Sequence, residues 1–146
     1  VIHSKKWAFS RAANHELVAD IITESCQYRL YFSWSEQIKA INFTVTFDFK
    51  IPKSKSKNVY ELLARINEKL WIGHFDITSK NGIPAYRHTI FESHENEMFY
   101  NQLEDLVDIA VYECERYCPA FQLVLFEDTS PQDALKLCAI DTIGNA

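Results

Sequence analysis

Between residues 41 and 49 apolar and polar side chains alternate without a break, Ile41, Phe43, Val45, Phe47 and Phe49 against Asn42, Thr44, Thr46 and Asp48. A period of two places the first set on one face of a β-strand and the second on the other, which predicts a sheet with one dry face and one polar face. Residues 28–34 repeat the pattern, with Tyr28, Leu30, Phe32 and Trp34 set against Arg29, Tyr31 and Ser33. Residues 15–23 do so again, with Leu17, Ala19 and Ile21 on one side and Val18, Asp20 and Ile22 on the other. A short strand over residues 7–10, with a turn at Asn14, precedes them. Short connections between consecutive strands predict an antiparallel meander.

The period changes at residue 58. Val59, Leu62, Leu63, Ile66 and Leu70 recur at i, i+3, i+4, i+7 and i+11, one stripe of a helix. Asn58 with Glu61 three residues later reads as its start, and Gly73 as its stop. Burying five such side chains contributes roughly 7–15 kcal/mol gross, against an ordering entropy of similar size, so this helix needs the sheet as a partner. Glu61, Arg65 and Lys69 keep its other side wet.

Residues 75–78 and 85–91 predict a second hairpin, with Asn81-Gly82 supplying positive dihedrals in its turn. Leu103, Leu106, Val107, Ala110, Val111 and Cys114 return to helical spacing, and Glu104, Asp105, Asp108 and Glu115 make the outer side acidic. This helix is expected to pack on the same sheet face as the first and to end at Pro119, because a proline disfavours the α conformation in the residue before it. Residues 120–126 then form a separate short helix with Pro119 at its first position. A last helix starts explicitly, with Ser130 as cap, Pro131 first and Asp133 third, and buries Ala134, Leu135 and Cys138. The sum is an α+β fold with helices packed mainly on one face of the sheet, in one domain over residues 1–146.

Composition narrows the function classes. The chain has 146 residues, 47% of them hydrophobic, enough for one sizeable core. Three glycines and four prolines are too few for a Gly-rich phosphate cradle. A net charge of −5 argues against an extended nucleic-acid footprint. No apolar run is long enough to span a membrane, so the expectation is a cytoplasmic protein. The first residue, Val1, suggests that a longer native chain continues upstream. Cys26, Cys114, Cys118 and Cys138 are expected to be reduced core residues, since small disulfide-stapled domains look different. Cys114 and Cys118 are half of a zinc site at most, and no metal or cofactor is expected.

The densest chemistry lies in residues 71–76 and 86–88. The second hairpin should bring His74, Asp76, Arg87 and His88 into one neighbourhood, where an Asp beside a His orients a general base or an Arg–Asp pair is simply structural. No nucleophile has a recognisable context, so no catalytic residue is assigned. Glu113 and Glu115 point to different faces of a helix and make no metal site, and Arg116 is expected at helix-end carbonyls. Trp34, Trp71 and Tyr86 belong to an aromatic surplus, and amphipathic aromatics anchor protein interfaces. Trp34, Trp71, His74, Asp76, Tyr86, Arg87, His88 and Arg116 are therefore the candidate partner- or ligand-binding residues.

The runs YRLYFSW (28–34), VYELLARINEKLWIGHFD (59–76), YRH (86–88), LEDLVDIAVYECERYCPAFQ (103–122) and SPQDAL (130–135), in that order, resemble the YbjN-domain proteins of bacteria, in particular the alphaproteobacterial type. That resemblance implies a variant of the type III secretion chaperone-like fold, and this chain departs from it in starting close to the first strand, without the helix that usually precedes it. Family members are described as sensory transduction regulators, and the fold implies binding of a protein segment or client, with a homodimer as a further option. The expectation is a non-enzymatic chaperone-like or regulatory adaptor; the alternative is a small-molecule sensor or an enzyme with a polar pocket near His74 and Arg87.

Overall fold

The alternating segment forms the middle of a six-stranded antiparallel sheet, though its strand ends at Phe47 and not at Phe49. The computed structural model describes residues 9–13, 15–78 and 80–144. Strands β1 (Phe9–Ala13), β2 (Glu16–Ile22), β3 (Gln27–Ser35) and β4 (Ala40–Phe47) run as a meander. The hairpin of β5 (His74–Ile77) and β6 (Pro84–Phe91) adds to it through β6, so the spatial order is β1-β2-β3-β4-β6-β5. Trp7 and Asn14, placed by the sequence in the first strand and its turn, lie outside the described residues.

The register explains why one face is dry. Phe43 lies opposite Phe32 on one side and His88 on the other, and Val45 lies between Leu30 and Tyr86. The alternation thus runs in phase across four strands, and that face is covered by α1 (Ser56–Asn67) and α2 (Asn96–Phe126), with α3 (Pro131–Gly144) packed against both helices. Phe47 is the hub between layers, with ring centroids 5.3 Å from Tyr28, 5.2 Å from Phe121 and 6.2 Å from Phe75. The opposite face carries Tyr31, Thr44, Arg87 and His74 in one cross-strand row, with no described helix over it.

Two helix boundaries differ from the sequence reading. α1 starts at Ser56, after a 3₁₀ turn over Lys53–Lys55, so Asn58 is inside the helix and caps nothing. The helix stops at Asn67 because that side chain turns to the sheet: its Oδ1 accepts from the Phe75 N–H at 2.8 Å and its Nδ2 donates to the Phe75 carbonyl at 3.0 Å. Gly73 keeps the positive φ expected of it, +70°, but in the loop that leads into β5. Val59, Leu62, Leu63 and Ile66 are buried as the stripe requires, while Leu70 packs only partly against the core.

The larger correction is at Pro119, which ends nothing. α2 runs through it to Phe126 as one helix of 31 residues. Proline removes one rung of the ladder, and its ring crowds the Glu115 carbonyl four residues back. Tertiary packing offsets this, because Tyr117 and Cys118 before the proline and Ala120, Phe121, Val124 and Leu125 after it are all buried. Local propensity loses to a continuous apolar face. At α3 the sequence reading holds, with the Asp133 N–H donating to Ser130 Oγ at 3.2 Å and Pro131 as first residue.

Asn67 satisfies two backbone groups of a strand with no neighbour on that side. Asn67→Ala leaves both unpaired in a half-buried place, and the expected loss is about 1–3 kcal/mol by urea denaturation. A change below about 0.5 kcal/mol would show that water serves Phe75 equally well.

Candidate functional site

The hairpin β5–β6 brings together part of the expected constellation. His74 lies directly opposite Arg87, and Asp76 shares their face of the sheet. Asp76 Oδ1 accepts from the Ile77 N–H at 2.7 Å and its Oδ2 is 3.8 Å from Arg87 Nε. The carboxylate is thus engaged by backbone and guanidinium, the structural alternative, and does not orient His74 as a base would need. Arg87 Nε is itself shielded from solvent without a hydrogen bond of good geometry.

Period two sends the neighbours of Arg87 to the other face. Tyr86 is fully buried under the helices, and its hydroxyl donates to the Ile72 carbonyl at 2.6 Å. Burial pushes its pKa up, with Cys114 and Glu113 adding to the effect. It therefore offers nothing to a partner. His88 packs edge-on against Phe43, ring centroids 5.8 Å apart, and burial together with the nearby His74 lowers its pKa. Trp71, by contrast, is 100% exposed in the loop between α1 and β5. Arg116 is exposed on α2 with its guanidinium 5.1 Å from the Tyr117 ring centroid and 3.8 Å from Glu113, rather than at helix-end carbonyls.

Trp34 stands apart from all of these. It lines a cleft of about 300 Å³ at the far corner of the sheet, with Leu17, Phe32 and Ile41 as apolar floor and Arg11 and His15 beside them. The eight candidate residues are thus split between an exposed strip (Trp71, His74, Asp76, Arg87), the helix side (Tyr86, His88), α2 (Arg116) and this corner (Trp34).

Sequence reasoning also passed over a polar seam between the β2–β3 turn and α2. Thr23 Oγ1 donates to Glu115 at 2.7 Å and accepts from the Cys26 N–H at 3.2 Å. The Tyr28 hydroxyl points toward Glu115 without completing a hydrogen bond to it; burial and then Glu115 push its pKa up. Cys26 and Cys118 are joined as a disulfide there, in place of the reduced pair expected from composition. The seam was legible in part, since Glu115, Cys118 and Gln122 share a helix face, but only if the helix continues past Pro119. Glu113 is a second half-hidden carboxylate; burial raises its pKa, and Arg116 pulls the other way. Among the described residues no group of three His, Cys, Asp or Glu side chains is placed to hold a metal ion.

The family model described as "YbjN: Putative bacterial sensory transduction regulator" matches residues 1–123. The chain belongs to the YbjN family. Among solved structures it is similar to one described as "Crystal structure of YbjN, a putative transcription regulator from E. coli", at 11% identity and a TM-score of 0.48, over 80% of this chain and 87% of that one. No curated protein matches the chain. The family match covers every element through most of α2, including the exposed strip and the seam.

Proposed function

We propose that this YbjN-family chain is a non-enzymatic regulatory module that holds a segment of a partner protein. The observation that carries the reading is the fully exposed Trp71 next to a polar, helix-free sheet face bearing His74, Asp76 and Arg87. A large aromatic left in water costs free energy, and tryptophan and arginine are the residues most enriched where interfaces concentrate their energy. A net charge of −5 favours protein over nucleic acid as the partner. The module works in the cytoplasm in this reading, and a second copy of the chain competes for the same strip.

The test compares recovery of cross-linked partners by wild type and Trp71→Ala, each tagged and at native expression. The side chain is fully exposed, so the unfolding free energy by urea denaturation should stay within about 0.5 kcal/mol of wild type. Capture of a specific partner should fall by on the order of 30-fold, the effect of losing about 2 kcal/mol at an anchor. Equal capture by the two proteins would remove this strip from the proposal.

A second reading, a small-molecule sensor, is favoured by the cleft at Leu17, Phe32, Trp34 and Ile41, rather than by the His74–Arg87 neighbourhood. Its apolar floor and limited polar rim are what ligand pockets share. Saturating ligand would raise thermal stability of the wild type and spare a Trp34-substituted chain.

A further inference from the structure

Two of the four cysteines meet across 92 residues of sequence. Cys26 sits in the turn between β2 and β3, 7% exposed, and Cys118 is fully buried on α2. The other two thiols, Cys114 and Cys138, are buried and lie outside the disulfide, and burial drives the Cys114 pKa well above its ordinary value, which keeps it protonated and inert.

The surroundings of the pair are built rather than incidental. Thr23 fixes the turn, its backbone N–H donating to the Cys26 carbonyl at 3.0 Å while its hydroxyl reaches Glu115. One turn beyond Cys118 on the same helix face, Gln122 Nε2 lies 3.7 Å from Cys26 Sγ. The disulfide and the Thr23–Glu115 contact join α2, which lies against β4 and β6, to the β2–β3 turn, beside the apolar core that β2 and β3 share with it. A core of this size folds without a staple, and the tie is therefore free to be conditional.

We propose that Cys26 and Cys118 are a redox-responsive pair, closed by low-molecular-weight disulfides and opened by thiols, that fastens the β2–β3 turn to α2. Cys26, the less deeply buried member, acts first: its thiolate attacks one sulfur of a small disulfide RSSR, forming Cys26–S–SR and releasing RS⁻, which takes up the proton Cys26 lost. The Cys118 thiolate then attacks Sγ of Cys26, forming the internal disulfide and expelling the second RS⁻, which is protonated in turn. Two protein thiols are oxidised and one RSSR is reduced to two RSH. Excess thiol runs the sequence backwards.

The experiment uses the whole chain, reduced, freed of reductant and then exposed to glutathione disulfide, with the thiols counted by maleimide mass-tagging after denaturation. The expected result is loss of two taggable thiols and of two hydrogens, a cross-linked Cys26–Cys118 peptide, and full return of both thiols on adding dithiothreitol to the folded protein. Closure should raise the melting temperature by about 5–15 °C, from the entropy of a long closed loop spread over a chain of this size. Cys114→Ser with Cys138→Ser should respond as wild type does, and Cys26→Ser should not respond; if that chain folds poorly, Cys26→Ala replaces it. The proposal is overturned if all the thiols remain taggable, if a glutathione adduct stays on Cys26 without closure, or if the bond resists dithiothreitol in the folded state and so is a permanent staple.

Discussion

Tyr86→Ala should cost about 3–5 kcal/mol of folding stability, the largest single-residue effect expected in this chain. The ring is fully buried, packs edge-on against Phe75 with centroids 5.3 Å apart, and ends in a hydroxyl bonded to the Ile72 carbonyl. Alanine removes the ring, leaves a cavity between sheet and α2, and strands the carbonyl. Tyr86→Phe separates these contributions, since it keeps the ring and loses only the hydrogen bond, for about 1–2 kcal/mol. Chemical denaturation of both variants settles the assignment. A Tyr86→Ala chain as stable as wild type, with partner binding lost, would return the residue to the binding surface on which the sequence reading placed it.

Gly73→Ala should be of similar size, about 3–5 kcal/mol, and for a related reason. Gly73 has φ of +70°, a conformation that costs an alanine roughly 1–2 kcal/mol by itself. A Cβ there would also collide with the hydroxyl end of Tyr86 and come within 2.9 Å of the Arg87 carbonyl oxygen. The tyrosine is pinned by its own hydrogen bond and cannot swing aside cheaply. The two sites are therefore coupled: Tyr86→Ala opens the space that the new methyl needs, so the double variant should be more stable than the sum of the single losses predicts, by about 1–2 kcal/mol. Strict additivity, measured by urea denaturation of the full cycle, would show that backbone strain alone explains the glycine.

These two residues also show where the sequence was readable. Strands with one buried face announce themselves: Phe43, Val45 and Phe47 could only point the same way, and their partners on β3 and β6 follow in phase. The same rule places Tyr86 and His88 on the face opposite Arg87, and grouping all three by proximity in sequence is what put Tyr86 into the candidate surface. The expected meeting of His74 with Arg87 does occur, because a hairpin register delivers it.

What could not be read depends on contacts distant in sequence. Nothing near Pro119 says that Phe121 will lie 5.2 Å from Phe47, yet that packing carries the helix through the proline. Nothing near Asn67 announces that its amide will serve Phe75. The Cys26–Cys118 contact likewise joins residues 92 positions apart, and nothing local to either announces the other. Trp71 was legible as an amphipathic aromatic, but its complete exposure follows from α1 ending early, at Asn67.

The side chains along the outer border of β5 bear on assembly. The Phe75 amide and carbonyl are taken by Asn67, and the Ile77 amide by Asp76, so this border mimics a strand that already has a neighbour. A sheet that polymerises needs two open borders, one to receive and one to offer. Here three backbone groups of the β5 border are engaged by the protein itself, which leaves β1, among the described residues, as the more open sheet border. Association through the β1 border alone would end at a closed twofold pair instead of propagating into a fibre.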